Sequence, residues 1–277
     1  MKRTTKYGVV FVSLVCLSGC YSETSKTDLA AENVANQNPT KKIQLLEEAN
    51  ASNDQKAALI NVELGLGYLQ QGQVARAKSK LVHALKLAPK LPETHSAMAY
   101  FLEMVGENND AELSHKKAVQ LAKAKGAFYN NYGAFLCRQQ RFIDADKTFH
   151  LALKDKEYTR TAEVYENAGL CALKGGNQAK AENYFDTALK RDPNRATAIL
   201  ELAALDIVKG KAFAARKLLS QHKMIAEPNA RSLWLGIQAS KVLKDQEAVK
   251  NQVDLLKSLF QDSPEYQAYL QSEKGPS

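Results

Sequence analysis

Small and bulky apolar residues alternate with polar ones at regular intervals in residues 162–193. Gly169 and Ala181 are the small residues, and Tyr165 and Phe185 are the bulky ones. Apolar positions three or four residues apart indicate amphipathic helices, because such positions lie on one helix face. Small residues at two of these positions let two helix backbones approach closely. The stretch therefore predicts a pair of closely packed helices.

Two further signals mark the limits of these helices. Gly175, Gly176 and Asn177 predict a turn between them, because glycine adopts positive φ at little cost. Pro193 ends the second helix, since it lacks an N–H group to donate to the preceding turn. The unit is thus a helix, a short turn and a second helix.

The same pattern recurs along most of the chain. Units start near residues 58, 92, 126, 162, 196 and 229, and the sixth is degraded, keeping only Gly236 and Ala248. A helix–turn–helix unit of this length is typical of the tetratricopeptide repeat (TPR). We therefore predict an all-α fold, a TPR superhelical solenoid of about six repeats within residues 41–277, in which each repeat packs on its neighbours.

The N-terminal residues have the pattern of an export signal. Lys2, Arg3 and Lys6 precede an apolar run over residues 7–17, which is too short to span a bilayer as a helix. We therefore interpret residues 1–19 as a cleaved signal peptide. Its removal lowers the formal net charge from +8 to +5. The remaining basic residues are spread along the chain, so nucleic-acid binding is not expected.

Cys20 follows Leu17, Ser18 and Gly19, and this run resembles the bacterial lipobox. In a lipobox the cysteine is diacylated and becomes the new N-terminus, and its acyl chains anchor the protein in a membrane. The alternative is an ordinary secretory signal with a chance cysteine. Tyr21 stands where Asp favours retention in the inner membrane, so we expect the outer membrane, facing the periplasm.

Residues 20–40 are rich in polar residues and predict a lipidated, flexible tether. Residues 41–49 (KKIQLLEEA) have the composition of a short helix, which the first repeat helix can continue.

Cys137 and Cys171 occupy similar positions in the first helices of consecutive repeats. First helices of neighbouring repeats lie side by side, and the periplasm permits disulfides, so these two cysteines are a candidate bridge. The alternative is two buried small side chains, which is what most free cysteines are.

No motif of catalysis or cofactor binding is present in the sequence. The five histidines form no i, i+4 pair, and no HExxH, CxxC, GxSxG or phosphate-binding loop occurs. We therefore expect no enzyme activity, no cofactor, no metal site and no small-molecule substrate. Instead, we expect a monomer that binds another protein along its concave surface.

First-helix residues line the concave surface of such solenoids, and two groups of them are candidate contacts. The polar group is centred on Asn131 and Asn167, which share one repeat position and whose amides can hold a peptide backbone. The apolar group lies in the first two repeats. Alternatively, the apolar group packs against residues 41–49 or the following repeat, and the asparagines are merely solvated. The full set of groove candidates is Leu59, Val62, Leu66, Leu69, Tyr100, Met104, Tyr129, Asn130, Asn131, Arg138, Glu166, Asn167 and Lys174.

Several stretches go beyond a generic repeat. They are residues 64–69 (LGLGYL), 130–137 (NNYGAFLC), 165–170 (YENAGL), 229–237 (NARSLWLGI) and 263–266 (SPEY). With the lipobox, they resemble the type IV pilus biogenesis/stability lipoproteins, the PilF/PilW pilotin family. The resemblance covers residues 54–270, and it is strongest in the sixth repeat, where the repeat consensus is weakest.

The resemblance implies an outer-membrane lipoprotein that binds the type IV pilus secretin. Such a pilotin promotes secretin localisation and multimerisation in the outer membrane, and so supports pilus biogenesis or stability and twitching motility. The alternative is a periplasmic TPR scaffold for cell-wall or outer-membrane assembly proteins. Loss of secretin multimers in a deletion strain would distinguish the first function from a cell-shape or permeability defect, which would indicate the second.

Overall fold

The protein is described by a computed structural model that covers residues 39–123 and 125–274, with side chains from residue 52 onward. These residues form thirteen α-helices and no strand, so the predicted all-α TPR fold is confirmed. The predicted signal peptide, Cys20 and nearly all of the tether lie outside the described residues. The helices are α1 Pro39–Gln70, α2 Val74–Leu87, α3 Pro92–Met104, α4 Asn108–Leu121, α5 Gly126–Arg138, α6 Phe142–Ala152, α7 Thr161–Lys174, α8 Gln178–Arg191, α9 Ala196–Val208, α10 Ala212–Ile225, α11 Ala230–Val242, α12 Gln246–Phe260 and α13 Pro264–Glu273.

The chain divides into two compact units, Met1–Asn53 and Asp54–Ser277. In the first unit, the residues that the structure describes are helical and include the predicted helix over 41–49. The second unit contains six helix pairs, from α1–α2 to α11–α12. From repeat two onward the first helices begin close to the predicted starts, for example at Pro92, Gly126 and Ala196, whereas α1 begins earlier, at Pro39.

In four repeats a glycine on the first helix faces a larger residue on the second helix of the same repeat. Gly133 faces Phe149 in repeat three, and Gly169 faces Phe185 in repeat four. Both phenylalanines are essentially fully buried. Glycine is required where a neighbouring ring leaves no room for a Cβ atom, so these pairs set how closely the two helices of a repeat approach.

The turn between the helices of each repeat contains one residue in the left-handed region, two residues past the end of the first helix. It is glycine in four repeats, including Gly176 with φ 78°. Gln140 (φ 61°) and Lys244 (φ 58°) occupy this place in repeats three and six. The predicted turn at Gly176 therefore has the expected conformation, and two repeats adopt it without glycine.

The first helices form the inner side of the stack in the second unit. From α3 to α11, the backbone of each first helix lies close to that of the first helix of the next repeat. Within 54–123 and 125–274, second helices meet only through side chains, for example where Tyr184 of α8 donates a hydrogen bond to Asp146 of α6. Helices on the inside of a curve lie closer together than those on the outside. The surface that a partner would meet along several repeats is therefore the one formed by α3, α5, α7, α9 and α11.

Helix α13 covers the last repeat and was not predicted as a separate element. Ser263 caps its N-terminus by accepting a hydrogen bond from the Tyr266 N–H at 3.1 Å, and Pro264 follows at the first helical position. Tyr269 packs against Trp234 of α11, and Tyr266 stacks on Tyr269. The Ser-Pro-Glu sequence was the available signal for this helix start.

None of the helices in the described ranges combines the length and the apolar character that a membrane-crossing helix needs.

Candidate functional site

Polar contacts link neighbouring first helices along the inner side of repeats two and three. The Asn131 amide donates a hydrogen bond to Ser96 Oγ at 3.2 Å. Arg138 forms a bidentate pair with Glu103, including a 2.7 Å bond from Nη2 to Oε2. Both Asn131 and Arg138 are exposed on this side. The contacts hold α3 and α5 together and leave one edge of each polar group facing solvent.

The second asparagine of the predicted pair has a different environment. Asn167 donates to Asn130 Oδ1 at 3.1 Å, and Asn130 donates to Glu163 Oε1 at 3.1 Å. Asn130 is only 2% exposed, so its hydrogen bonds serve the packing of α5 against α7. Asn131 and Asn167 share a repeat position, but Asn131 is exposed whereas Asn167 is half-buried.

Glu166 is also internal. Both oxygens of its carboxylate accept hydrogen bonds from Arg195, one of them at 2.5 Å from Nη2, and Oε2 also accepts from the Ala198 N–H at 3.2 Å. The side chain lies at the start of α9, where the helix dipole favours a negative charge. Glu166 therefore ties repeat four to repeat five, and we leave Glu166 and Asn130 out of the proposed partner surface.

The apolar candidates divide into buried and exposed members. Val62 belongs to the core of the first two repeats, and Leu66 and Leu69 pack partly against that core. Leu59, Tyr100 and Met104 are exposed, with 41%, 43% and 59% of their surface accessible. Val62 is therefore a core residue, and the exposed members on α1 and α3 are the ones that a partner can contact.

The two remaining candidates lie in repeats three and four. Tyr129 is half-buried and packs against the core around the cysteines, so only part of its ring is available. Lys174 is exposed in the last turn of α7.

A cleft of ≈ 380 Å³ opens on the inner side of repeats one to three. It brings together four of the predicted residues, Leu66, Tyr100, Asn131 and Arg138. It also includes residues that the sequence analysis did not single out. The complete lining is Leu66, Gln70, Ser96, Tyr100, His115, Asn131, Ala134 and Arg138.

His115 is the unusual residue of this cleft. It is 3% exposed, and its Nε2 atom has no hydrogen-bond partner. Its ring lies 5.0 Å from that of Phe135 and 5.8 Å from that of Tyr132. Burial lowers the pKa of His115 to about 4; Glu103 and Glu112 oppose this and Arg138 adds to it. The imidazole is therefore neutral at pH 7. The sequence could have pointed to His115, because repeats three and four have phenylalanine at the same repeat position.

Cys137 and Cys171 are joined by a disulfide, with their Cα atoms 5.6 Å apart. The bond links α5 to α7, and both cysteines lie in the buried core between these helices. Of the two alternatives that the sequence left open, a bridge or two buried free cysteines, the structure contains the bridge.

These paired helices with a shared inner surface define a TPR protein. The sequence profile of the tetratricopeptide repeat matches residues 162–195, which is the repeat with the clearest pattern. The chain is 31% identical to the type IV pilus assembly protein PilF of Pseudomonas aeruginosa over 271 residues, 98% of this chain and all of that protein. It therefore belongs to the PilF family of type IV pilus TPR proteins.

Two solved structures agree with this assignment. The structure of Pseudomonas aeruginosa PilF has a TM-score of 0.70 at 32% identity, covering 79% of this chain and 99% of that one. PilW, a widely conserved type IV pilus biogenesis factor, has a TM-score of 0.68 at 27% identity, covering 77% of this chain and 98% of that one. The chain is thus a TPR protein of type IV pilus biogenesis.

Proposed function

We propose that this protein is an outer-membrane lipoprotein that binds the type IV pilus secretin and promotes its localisation and multimerisation in that membrane. The single observation that carries the proposal is the match to PilF across 98% of the chain. The lipobox ending at Cys20 supports the membrane anchor. The function is binding rather than catalysis, since a helical stack acts by presenting an extended surface.

The exposed apolar residues of the first two repeats are the proposed contact with the secretin. Leu59, Tyr100 and Met104 are large and well exposed on α1 and α3, and Tyr100 also lines the inner cleft. Exposed apolar groups that cluster on a soluble protein mark interaction sites, because covering them releases free energy. An apolar segment of the secretin would be held along this part of the stack.

The anchor and the contact surface act together in this proposal. Acyl chains on Cys20 would confine the protein to the inner leaflet of the outer membrane, and the polar residues 20–40 would give it reach. A secretin subunit bound to the stack is then held at high local concentration beside that membrane, which favours its assembly with other subunits.

The test uses a deletion strain that carries plasmid copies of the gene. The wild-type protein should restore heat- and detergent-resistant secretin multimers in the outer-membrane fraction, and twitching. Cys20→Ser should misplace the protein, and Met104→Asp should weaken secretin recovery while leaving the fold intact. Met224→Asp is the matched control, because Met224 is 87% exposed on a second helix, α10.

The proposal fails if the deletion leaves secretin multimers unchanged. A defect in cell shape or in envelope permeability with normal multimers would instead favour a scaffold for cell-wall or outer-membrane assembly proteins. If Met104→Asp and Met224→Asp have equal effects, the first two repeats are not the contact surface. The proposed pilus function would be unaffected by that result.

A further inference from the structure

The unpartnered nitrogen of His115 is the feature of the inner cleft that packing alone does not explain. Its position in the repeat is filled by Phe149 and Phe185 in repeats three and four, where a ring without hydrogen-bonding atoms completes the core. Burying a polar nitrogen without a partner destabilises the fold. Repeat six has a polar residue there, Gln252, but its side chain accepts a hydrogen bond from Ser240. In repeat two the ring nitrogen has no such partner, and the ring lines a cleft.

The charges around the cleft limit what it can bind. Arg138 lies in the wall of the cleft and donates hydrogen bonds from Nε and Nη2 to the two carboxylate oxygens of Glu103. This ion pair has no net charge. Asn131 and Ser96 contribute neutral polar groups, and Leu66 and Tyr100 contribute apolar surface. A carboxylate or an ammonium group entering this space would lose its hydration without gaining an opposite charge. A neutral polar group has no such penalty.

We propose that this cleft is a subsite for an uncharged side chain with a hydroxyl or amide group, presented by an extended polypeptide, and that the group hydrogen-bonds to His115. Hydroxyl and amide groups can donate and accept, so they pair with Nε2 in either tautomer of the ring. The cleft runs across the first helices of three repeats, which is the direction that an extended peptide follows in a TPR groove. The inference rests on the proposed function in one respect, that the peptide belongs to a partner protein.

Replacement by leucine removes the nitrogen without disturbing the repeat. The small residue of repeat two is Ala99, and repeat five combines Ala203 at that position with Leu219 at the position of His115. The chain itself thus shows that leucine fits opposite alanine. His83→Leu is the matched control, because His83 is exposed on α2, outside the cleft.

The experiment selects ligands from a phage-displayed library of random short peptides on the purified protein. Enriched peptides should share a Ser, Thr, Tyr, Asn or Gln residue. They should bind His115→Leu about tenfold more weakly than wild type, and His83→Leu equally well. The melting temperature of His115→Leu should be at least that of wild type. In the protein labelled with ¹⁵N at histidine, the His115 Nε2 resonance should move on titration with an enriched peptide.

Three results would overturn the inference: no enrichment, peptides that share a charged or purely apolar residue instead, or equal binding to wild type and His115→Leu. None of these bears on secretin multimers in cells, so the proposed function would survive them. Conversely, peptide binding could depend on His115 while the protein has no effect on the secretin. That result would assign the cleft to a different partner.

Discussion

Gly169 lies directly against the ring of Phe185, so that a Cβ atom on Gly169 would stand 2.6 Å from Cε1 and 2.8 Å from Cδ1. Phe185 is fully buried. The contact between these two residues therefore fixes the distance between α7 and α8 and, through the stack, the position of the repeats on either side.

We expect Gly169→Ala to destabilise the protein by about 1–3 kcal/mol, because overpacking forces the ring or the helix to shift. The free energy of unfolding from urea titration measures this. Gly67→Ala is the matched control, since no atom lies within 4 Å of the added Cβ and the residue is inside α1. Alanine should there be neutral or stabilising by up to about 1 kcal/mol. Equal losses in both variants would contradict the packing argument.

Gln140 adopts a left-handed conformation that its neighbours at the same repeat position reach with glycine. We expect Gln140→Gly to stabilise the protein by about 1 kcal/mol, because the steric strain of a side chain at positive φ is removed. Thermal unfolding measures the change. The reverse substitution, Gly176→Ala, should lower stability by a similar amount. A loss of stability in Gln140→Gly would show that the side chain itself holds the turn.

Glu166 is 7% exposed and joins Arg195 and the start of α9 to α7. Glu166→Ala would leave a partly buried guanidinium and a backbone N–H without their partner, so we expect a loss of about 2–3 kcal/mol in chemical unfolding. Asp186→Ala is the control, because Asp186 pairs with Lys190 on the exposed surface of α8. That change should cost less than about 0.5 kcal/mol. Similar losses would mean that the buried pair contributes no more than a surface pair.

The neutral state of His115 makes stability depend on pH. Its pKa is about 4 in the folded protein and 6.5 in the unfolded chain, so the unfolded state binds the proton first as the pH falls. The neutral imidazole makes its full contribution to the free energy of unfolding above pH 6.5. This contribution declines as the pH falls from 6.5 to 4. At pH 5 we expect a loss of up to about 2 kcal/mol relative to pH 7.

Urea unfolding of wild type and His115→Leu at both pH values isolates this contribution. The variant should lose less stability than wild type between pH 7 and 5, since it has no imidazole there. The charged groups that act on His115 are Glu103, Arg138 and Glu112. The pKa of Glu112 is lowered to about 2, against the effect of its partial burial, by hydrogen bonds from Lys116, Arg141 and Tyr132, so it stays ionised over this range. Parallel pH profiles would contradict the buried neutral imidazole.

The repeat architecture was predictable because each unit carries its own steric signals. The Gly–Phe pair of repeat four, its Gly176 turn and its terminal Pro193 are local in sequence, and they recur at constant spacing. The pairing of Cys137 with Cys171 follows a related logic, since first helices of consecutive repeats lie side by side and the two cysteines have similar positions on them.

The binding surface was less predictable because side chains of different repeats compete for the same contacts. Asn131 and Asn167 share a repeat position, yet Asn167 is bound to Asn130 and Asn131 faces the cleft. Asn130 in turn donates a hydrogen bond to Glu163 of the next repeat. Repeat position alone does not contain that information. His115 was overlooked because a lone histidine on a helix face is most often an ordinary core residue.

Helix α13 has a consequence for assembly. Tyr269 packs edge-on against Trp234, and Tyr266 stacks on Tyr269, so α13 covers the flank of the last repeat that another helix pair would otherwise use. A bare flank of this kind invites a second molecule to continue the array, and terminal helices prevent that. Because α13 occupies this flank, we expect that a further copy of the protein cannot extend the array there.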